Sequence, residues 1–363
     1  FHDEKIQTIN ISSIFKFQDA LELGNPTLLQ QLMKFQSFLS SLENADIDEA
    51  VKSIFLQDRT QGQKECFLLL LISLGDEFFE TISEYNELID KVLQNPCVEL
   101  SSRFIARVTL FSSACNYILT NIIKHGNEYP YNSFVDCENP WLLLSLSRIA
   151  GFYPKKVSKI DKIKQNLIRN LDQAKNVEGS LRLLGVLSQE KDFWTDLEVA
   201  KSLISLFHKN ISTPYEKTIL LSLISNLTLI NETKAFFSSE ANYLQFVSEV
   251  ENKGKDSGLS LRILSRLDIP NELERGKEIL ILRLTNIIRD QLQNGNKFGV
   301  EGSSQLIIAM VNHFKDTPEF EIVINSLKNI DIYSLLISAS RKENNITIFI
   351  KLMDALYTFE PKS

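Results

Sequence analysis

Ile219-Leu-Leu-Ser-Leu-Ile-Ser-Asn-Leu-Thr228 is the stretch that decides the fold. Leu220, Leu223, Ile224 and Leu227 recur three and four residues apart. That spacing puts them on one side of an α-helix and leaves Ser222 and Asn226 on another. The polar break before it, Asn210 to Thr213, runs into Thr213-Pro214. A capping residue followed by proline marks a helix start, because proline's missing N–H would be unpaired at the first helical position anyway. Asn25-Pro26, Asn139-Pro140 and Thr317-Pro318 repeat the signature.

Working outward, the same pattern returns along the whole chain. A Leu/Ile-rich helix, a polar break and a second amphipathic helix recur eight times. The first helices are expected over Glu65–Leu74, Ser102–Leu110, Trp141–Ile149, Ser180–Leu187, Ile219–Leu227, Leu259–Leu267, Ser304–Val311 and Ile348–Leu356. Their last core residues are separated by 36, 39, 38, 40, 40, 44 and 45 residues. Gly75-Asp76, Gly254-Lys255-Asp256 and the segment from Asn294 to Ser304 are expected as breaks, and no stretch alternates like a hairpin strand. Each helix pair has two apolar faces that it cannot bury alone, so neighbours must stack. The expected fold is all-α, a right-handed α-solenoid of about eight helical repeats in one domain over 1–363. Residues 1–43 are expected to form capping helices, 44–359 the repeats and 360–363 a frayed tail.

Ile219 to Thr228 resembles the last helix of an armadillo repeat, which ends in a Leu-Ser-Asn-Leu sequence, and Leu197 to Phe207 resembles the helix before it. The period agrees with armadillo and HEAT repeats. The resemblance implies that Asn226 lines a groove and hydrogen-bonds the backbone of an extended partner segment. At the equivalent place the other repeats carry Ser, Thr, Arg, Val, Arg, Met and Ala.

The 363 residues carry a net charge of −7, with 44% hydrophobic and 23% charged residues. An acidic balance opposes general nucleic-acid binding, which needs a positive field to displace phosphate counterions. The longest apolar run, Phe67 to Ile72, is far short of a membrane span. Cys66, Cys97, Cys115 and Cys137 have no metal-ligand spacing and are expected as buried apolar residues in a reducing compartment. The chain opens on Phe1 without an initiator Met and is expected to be a trimmed fragment. The five N-glycosylation patterns include Asn226, which lies inside a helix. The expected location is the cytoplasm, or alternatively the nucleus, ahead of the secretory lumen that the glycosylation patterns would suit.

Helical geometry places the residue before each last core position, and the one four earlier, on a shared neighbouring face. In the middle repeats these positions gather Arg148, Arg182, Arg262 and Arg266 around Asn226. These arginines either concentrate positive potential for a carboxylate- or phosphate-bearing segment, or solvate a face and lie over neighbouring repeats. Lys155, Lys156, Lys159, Lys162 and Lys164 form a second basic patch after Phe152-Tyr153-Pro154. It is either a docking site for an acidic partner or an ordinary charged outer face.

No catalytic constellation emerges. His2, His125, His208 and His313 are scattered, with His125 and His208 at expected helix ends. Gly295, Gly299 and Gly302 are expected in a loop without a preceding strand, so they form neither a Walker loop nor a dinucleotide fingerprint. Trp141 and Trp194 are expected to pack between repeats. No cofactor, metal, nucleic acid, membrane insertion or small-molecule substrate is expected. The expected role is a non-enzymatic scaffold or adaptor for an acidic or phosphorylated protein segment. The alternative is a regulator that changes a partner's state, as a nucleotide exchange factor or an assembly chaperone.

Overall fold

The computed structural model describes residues 24–32, 60–73, 79–80, 86–95, 97–188, 190, 197–209, 213–270, 276–294, 296–342 and 346–359. Among these residues there are twenty helices and no strand. No single described helix is long and apolar enough to cross a membrane. The chain divides into two compact units, Phe1–Leu167 and Ile168–Ser363.

The first unit holds α1 (Pro26–Leu32), α2 (Gln61–Ser73), α3 (Asn86–Leu93), α4 (Val98–Val108), α5 (Ser112–His125), α6 (Asn132–Val135), α7 (Pro140–Phe152) and α8 (Pro154–Val157). The division falls within α9 (Asp161–Asp172). Helices α1, α2, α4 and α7 pack one on the next in chain order, with α3, α5 and α6 against their flanks. Asn139 starts α7 as its sequence predicts: the side-chain oxygen accepts from the N–H groups of Trp141 and Leu142.

The second unit holds α10 (Val177–Leu187), α11 (Leu197–Lys209), α12 (Pro214–Leu227), α13 (Asn231–Phe237), α14 (Glu240–Glu251), α15 (Ser257–Leu264), α16 (Lys277–Asn294), α17 (Lys297–Phe314), α18 (Phe320–Asn329), α19 (Ile332–Lys342) and α20 (Ile346–Phe359). Here α10, α12, α15, α17 and α20 pack in series, while α16 packs on α14, α18 and α19. Thr213 and Glu216 close a reciprocal capping box at the start of α12. Thr317-Pro318 marks a start two residues early, since α18 begins at Phe320.

The eight expected first helices fall in α2, α4, α7, α10, α12, α15, α17 and α20. Ile149, Leu187, Leu227, Leu267 and Val311 are buried as expected. Leu110 is a correction. It is 44% exposed, because α4 stops at Val108 and a turn closed by Leu110 N–H on the Arg107 carbonyl carries Leu110 outward. Val108 is buried in its stead. Leu74 lies outside the described residues, as do Trp194, Gly295, residues 360–363 and all of 1–43 except 24–32.

The glycine segment is a second correction. Gly299 and Gly302 are inside α17, not in a loop, because Asn296 caps the helix by accepting from the N–H groups of Phe298 and Gly299. Gly302 faces the α15 backbone so closely that a Cβ there would lie 3.0 Å from Arg262 N and Leu261 C. The glycine lets two helices meet more tightly than any side chain would allow.

Candidate functional site

The carbonyls at the end of an α-helix have no partner within it and carry its partial negative charge. Among the described residues an arginine from the next helix of the series fills that role three times. Arg107 Nη1 donates to the Ile72 carbonyl at 2.5 Å, from α4 to α2. Arg148 Nη1 donates to the Ala106 carbonyl, from α7 to α4. Arg266 Nη1, just past α15, donates to the Ser225 carbonyl of α12 at 2.7 Å and to the Ser225 hydroxyl at 3.0 Å. A hydroxyl of the receiving helix shares the carbonyl in two cases: Thr109 Oγ1 on Ala106 at 3.0 Å and Thr228 Oγ1 on Ser225 at 2.7 Å.

Three of the expected site residues are thereby separated in role from the other two. Arg148, in the first unit, and Arg266, in the second, hold helix to helix. Arg182, Asn226 and Arg262, all in the second unit, leave more of themselves to solvent or to other partners. Asn226 is exposed on α12, at the position where Arg148 sits on α7, and makes no side-chain hydrogen bond among the described residues. The carbonyl it would have to reach, Gly185 on α10, accepts from Ser188 Oγ at 2.5 Å instead. Arg182 pairs with Glu178 one turn earlier at 2.7 Å and lies over the Tyr215 ring of α12, 5.3 Å from its centroid.

Arg262 and Arg266 come together at the C-terminal end of α15. Glu301, almost fully buried on α17, faces both; Lys351 of α20 donates to its Oε1. Arg262 Nε lies 4.0 Å from Glu301 Oε2, within ion-pair range but too far for a hydrogen bond, and this buried N–H has no acceptor. The Phe298 ring lies 5.5 Å from the Arg262 guanidinium, and Lys297 approaches its other neighbourhood at 5.0 Å. Burial, with Arg262 alongside, holds the Arg266 guanidinium below its ordinary range, and Glu301 works in the opposite direction. Three cations thus meet one carboxylate, an arrangement that favours a further anion.

The second basic patch is split by the structure. Lys155 is exposed on α8 and Lys164 is half-buried on α9. Lys156, Lys159 and Lys162 line a cleft together with Lys124 from the end of α5, a residue the sequence run does not contain. The Lys162 ammonium donates to Asn127 Oδ1 at 2.6 Å, and Lys156 lies 5.3 Å from the Tyr153 ring centroid.

With Leu110 as the last core residue Arg107 is out of register; with Val108 in that place, Arg107 aligns with Arg148 and Arg266. Glu301 falls in the segment that the glycines mark as a loop, so its helical placement has no sequence signal. Lys351 and Lys124 carry no sequence signal, since each joins its cluster from a different helix. Trp141 sits at the start of α7, partly exposed, with the Arg103 guanidinium of α4 5.7 Å from its ring.

Among the described residues no group of three His, Cys, Asp or Glu side chains is placed to hold a metal ion. His125 ends α5 and lies 3.5 Å from Glu128, while His208, near the end of α11, bonds Asn242 Oδ1 at 3.0 Å. None of the four cysteines forms a disulfide. No protein-family model matches the chain, no curated protein matches its sequence, and no solved structure matches it in a structural comparison.

Proposed function

We propose that the chain is a non-enzymatic protein-binding scaffold, built from armadillo/HEAT-like α-solenoid repeats, that holds an acidic or phosphorylated segment of another protein. The supporting observation is the series of helices that pack one on the next, with three arginine-to-carbonyl bridges that each reach back over one helix pair, by 35, 42 and 41 residues. A bridge that reaches back by about one repeat length fits repeats that each contact only their neighbours, and such stacks serve as extended binding surfaces. The segment would lie along the face carrying Arg182, Asn226 and Arg262, where the exposed amide can pair with a peptide backbone and the guanidinium groups with carboxylate or phosphate. Cysteines without disulfides suit work in the cytoplasm.

The test compares affinity purifications with the intact chain and with a variant carrying Arg182→Glu, Asn226→Ala and Arg262→Gln. Arg148 and Arg266 stay untouched, because they hold helices together. Selective loss of a few partners from an equally helical variant supports the assignment. Identical partner sets would show that this face is not the binding surface.

A further inference from the structure

A cleft of about 430 Å³ lies in the first unit between the end of α5 and the α8–α9 segment. Ile122, Ile123, Val135 and Ile160 supply its apolar lining, and Lys124, Lys156, Lys159 and Lys162 its charge. Among the described residues no lining side chain is acidic, and none of the four lysines is in ion-pair contact with a carboxylate. Four like charges around one concavity repel one another, and in a protein of net charge −7 carboxylates are available to quench them. Ile123, at 56% exposure, leaves a β-branched side chain open to water in the same place. Positive charge and uncovered apolar surface coincide, and a single kind of ligand satisfies both.

We infer that this cleft is a second docking site, for a short acidic protein segment whose one apolar side chain enters against Ile123 and Ile160 while flanking Asp or Glu carboxylates meet the four lysines. The inference rests on the protein-binding reading above but uses residues that reading does not. Lysine suits the task, since a flexible stem with a compact charge follows carboxylates of varied spacing, whereas a phosphate-specific site gains more from the planar fork of arginine. Single-stranded nucleic acid would want aromatic rings for its bases, and none lines the cleft. A membrane surface would want its apolar residues on a face that can lie flat, not sunk between two helical segments.

Fluorescence anisotropy with the whole chain tests this using three labelled peptides in a Gly/Ser frame. One has a leucine between pairs of glutamates, one the same leucine between glutamines, and one a serine between the glutamates. Only the first is expected to bind well, weakening by about tenfold or more when glutamine or serine is substituted and again when salt rises from about 50 to about 500 mM. Lys156→Ala with Lys159→Ala should weaken it by a similar factor, and Ile123→Ser should do so without altering the charge. These surface changes leave the core intact, and circular dichroism verifies that. Equal binding of the glutamate and glutamine peptides, or indifference to both sets of substitutions, would overturn the inference. So would lysine-dependent binding to phosphatidylserine vesicles without peptide binding, which would make the cleft a lipid site. If the peptide fails while the Arg182/Asn226/Arg262 variant still loses partners, only the second site is wrong.

Discussion

Arg266 Nη1 reaches back 41 residues to the carbonyl of Ser225, which also receives the hydroxyl proton of Thr228. The last turn of α12 is therefore completed by a side chain from beyond α15, and the two helices are joined by a charge-assisted bond rather than by apolar contact alone.

Removing that bond leaves a half-buried carbonyl short of a donor and loses the packing of the arginine stem. Arg266→Ala is expected to cost about 1.5–3 kcal/mol, and Arg148→Ala a similar amount. Asn226→Ala, at an exposed position, should change stability by no more than about 0.5 kcal/mol. Denaturant midpoints of the three variants check the ranking; equal effects would show that the bridges are incidental.

Two glycines should respond in opposite ways to the same substitution. Gly302→Ala pushes a methyl group into the α15 backbone and is expected to destabilise by roughly 1–3 kcal/mol. Gly151, in α7, has nothing within 4 Å of a new Cβ, so Gly151→Ala is expected to stabilise by up to about 1 kcal/mol through helix propensity. Thermal melts of both variants decide it.

Asp90 gathers two phenols: Tyr117 donates to its Oδ2 at 2.6 Å and Tyr131 to its Oδ1. Burial, with Asp90 next, pushes both hydroxyls above the usual tyrosine range. A pKa raised by folding gives stability that is whole below the unfolded value, about 10, and fades as pH climbs toward the folded one. Denaturant midpoints should therefore drop above pH ~10, and less steeply in Tyr131→Phe than in the parent. An identical slope in the two proteins would refute the account.

Thiol reactivity should separate the cysteines. Cys66, Cys115 and Cys137 are buried, and burial pushes the Cys115 thiol up to about 12. Cys97, before α4, is half-buried. A thiol reagent at neutral pH is expected to label Cys97 first and the other three only on unfolding, as mass spectrometry of the labelled peptides would show.

Much of this was legible beforehand. The three-and-four spacing of leucines fixed helix after helix, and the cap-then-proline pairs at Asn139 and Thr213 mark true starts, because both signals are local. Leu110 and Gly302 show where locality fails. Whether a leucine faces core or solvent depends on where a turn closes, and whether a glycine breaks a helix or admits a neighbour depends on a helix some forty residues away. For the same reason Arg148 reads identically in sequence whether it faces a partner or a carbonyl of α4. The gathering of Arg262, Arg266 and Lys351 on Glu301 draws on three helices, and no single stretch contains it.

The exposed amide of Asn226 has one more consequence. Where α12 meets α10 the series lacks the arginine that binds α4 to α2, α7 to α4 and α15 to α12, and Arg182 over Tyr215 stands at that junction instead; α17 and α20 lack it too, but Gly302 seats α17 tightly on α15 and Lys351 ties α20 to Glu301 of α17. Under mechanical load the second unit is expected to part at this seam, shedding α10 before α12 and α15 let go. In an optical-tweezers trace the first rip would then mark α10, and Asn226→Arg should raise the force at which it comes.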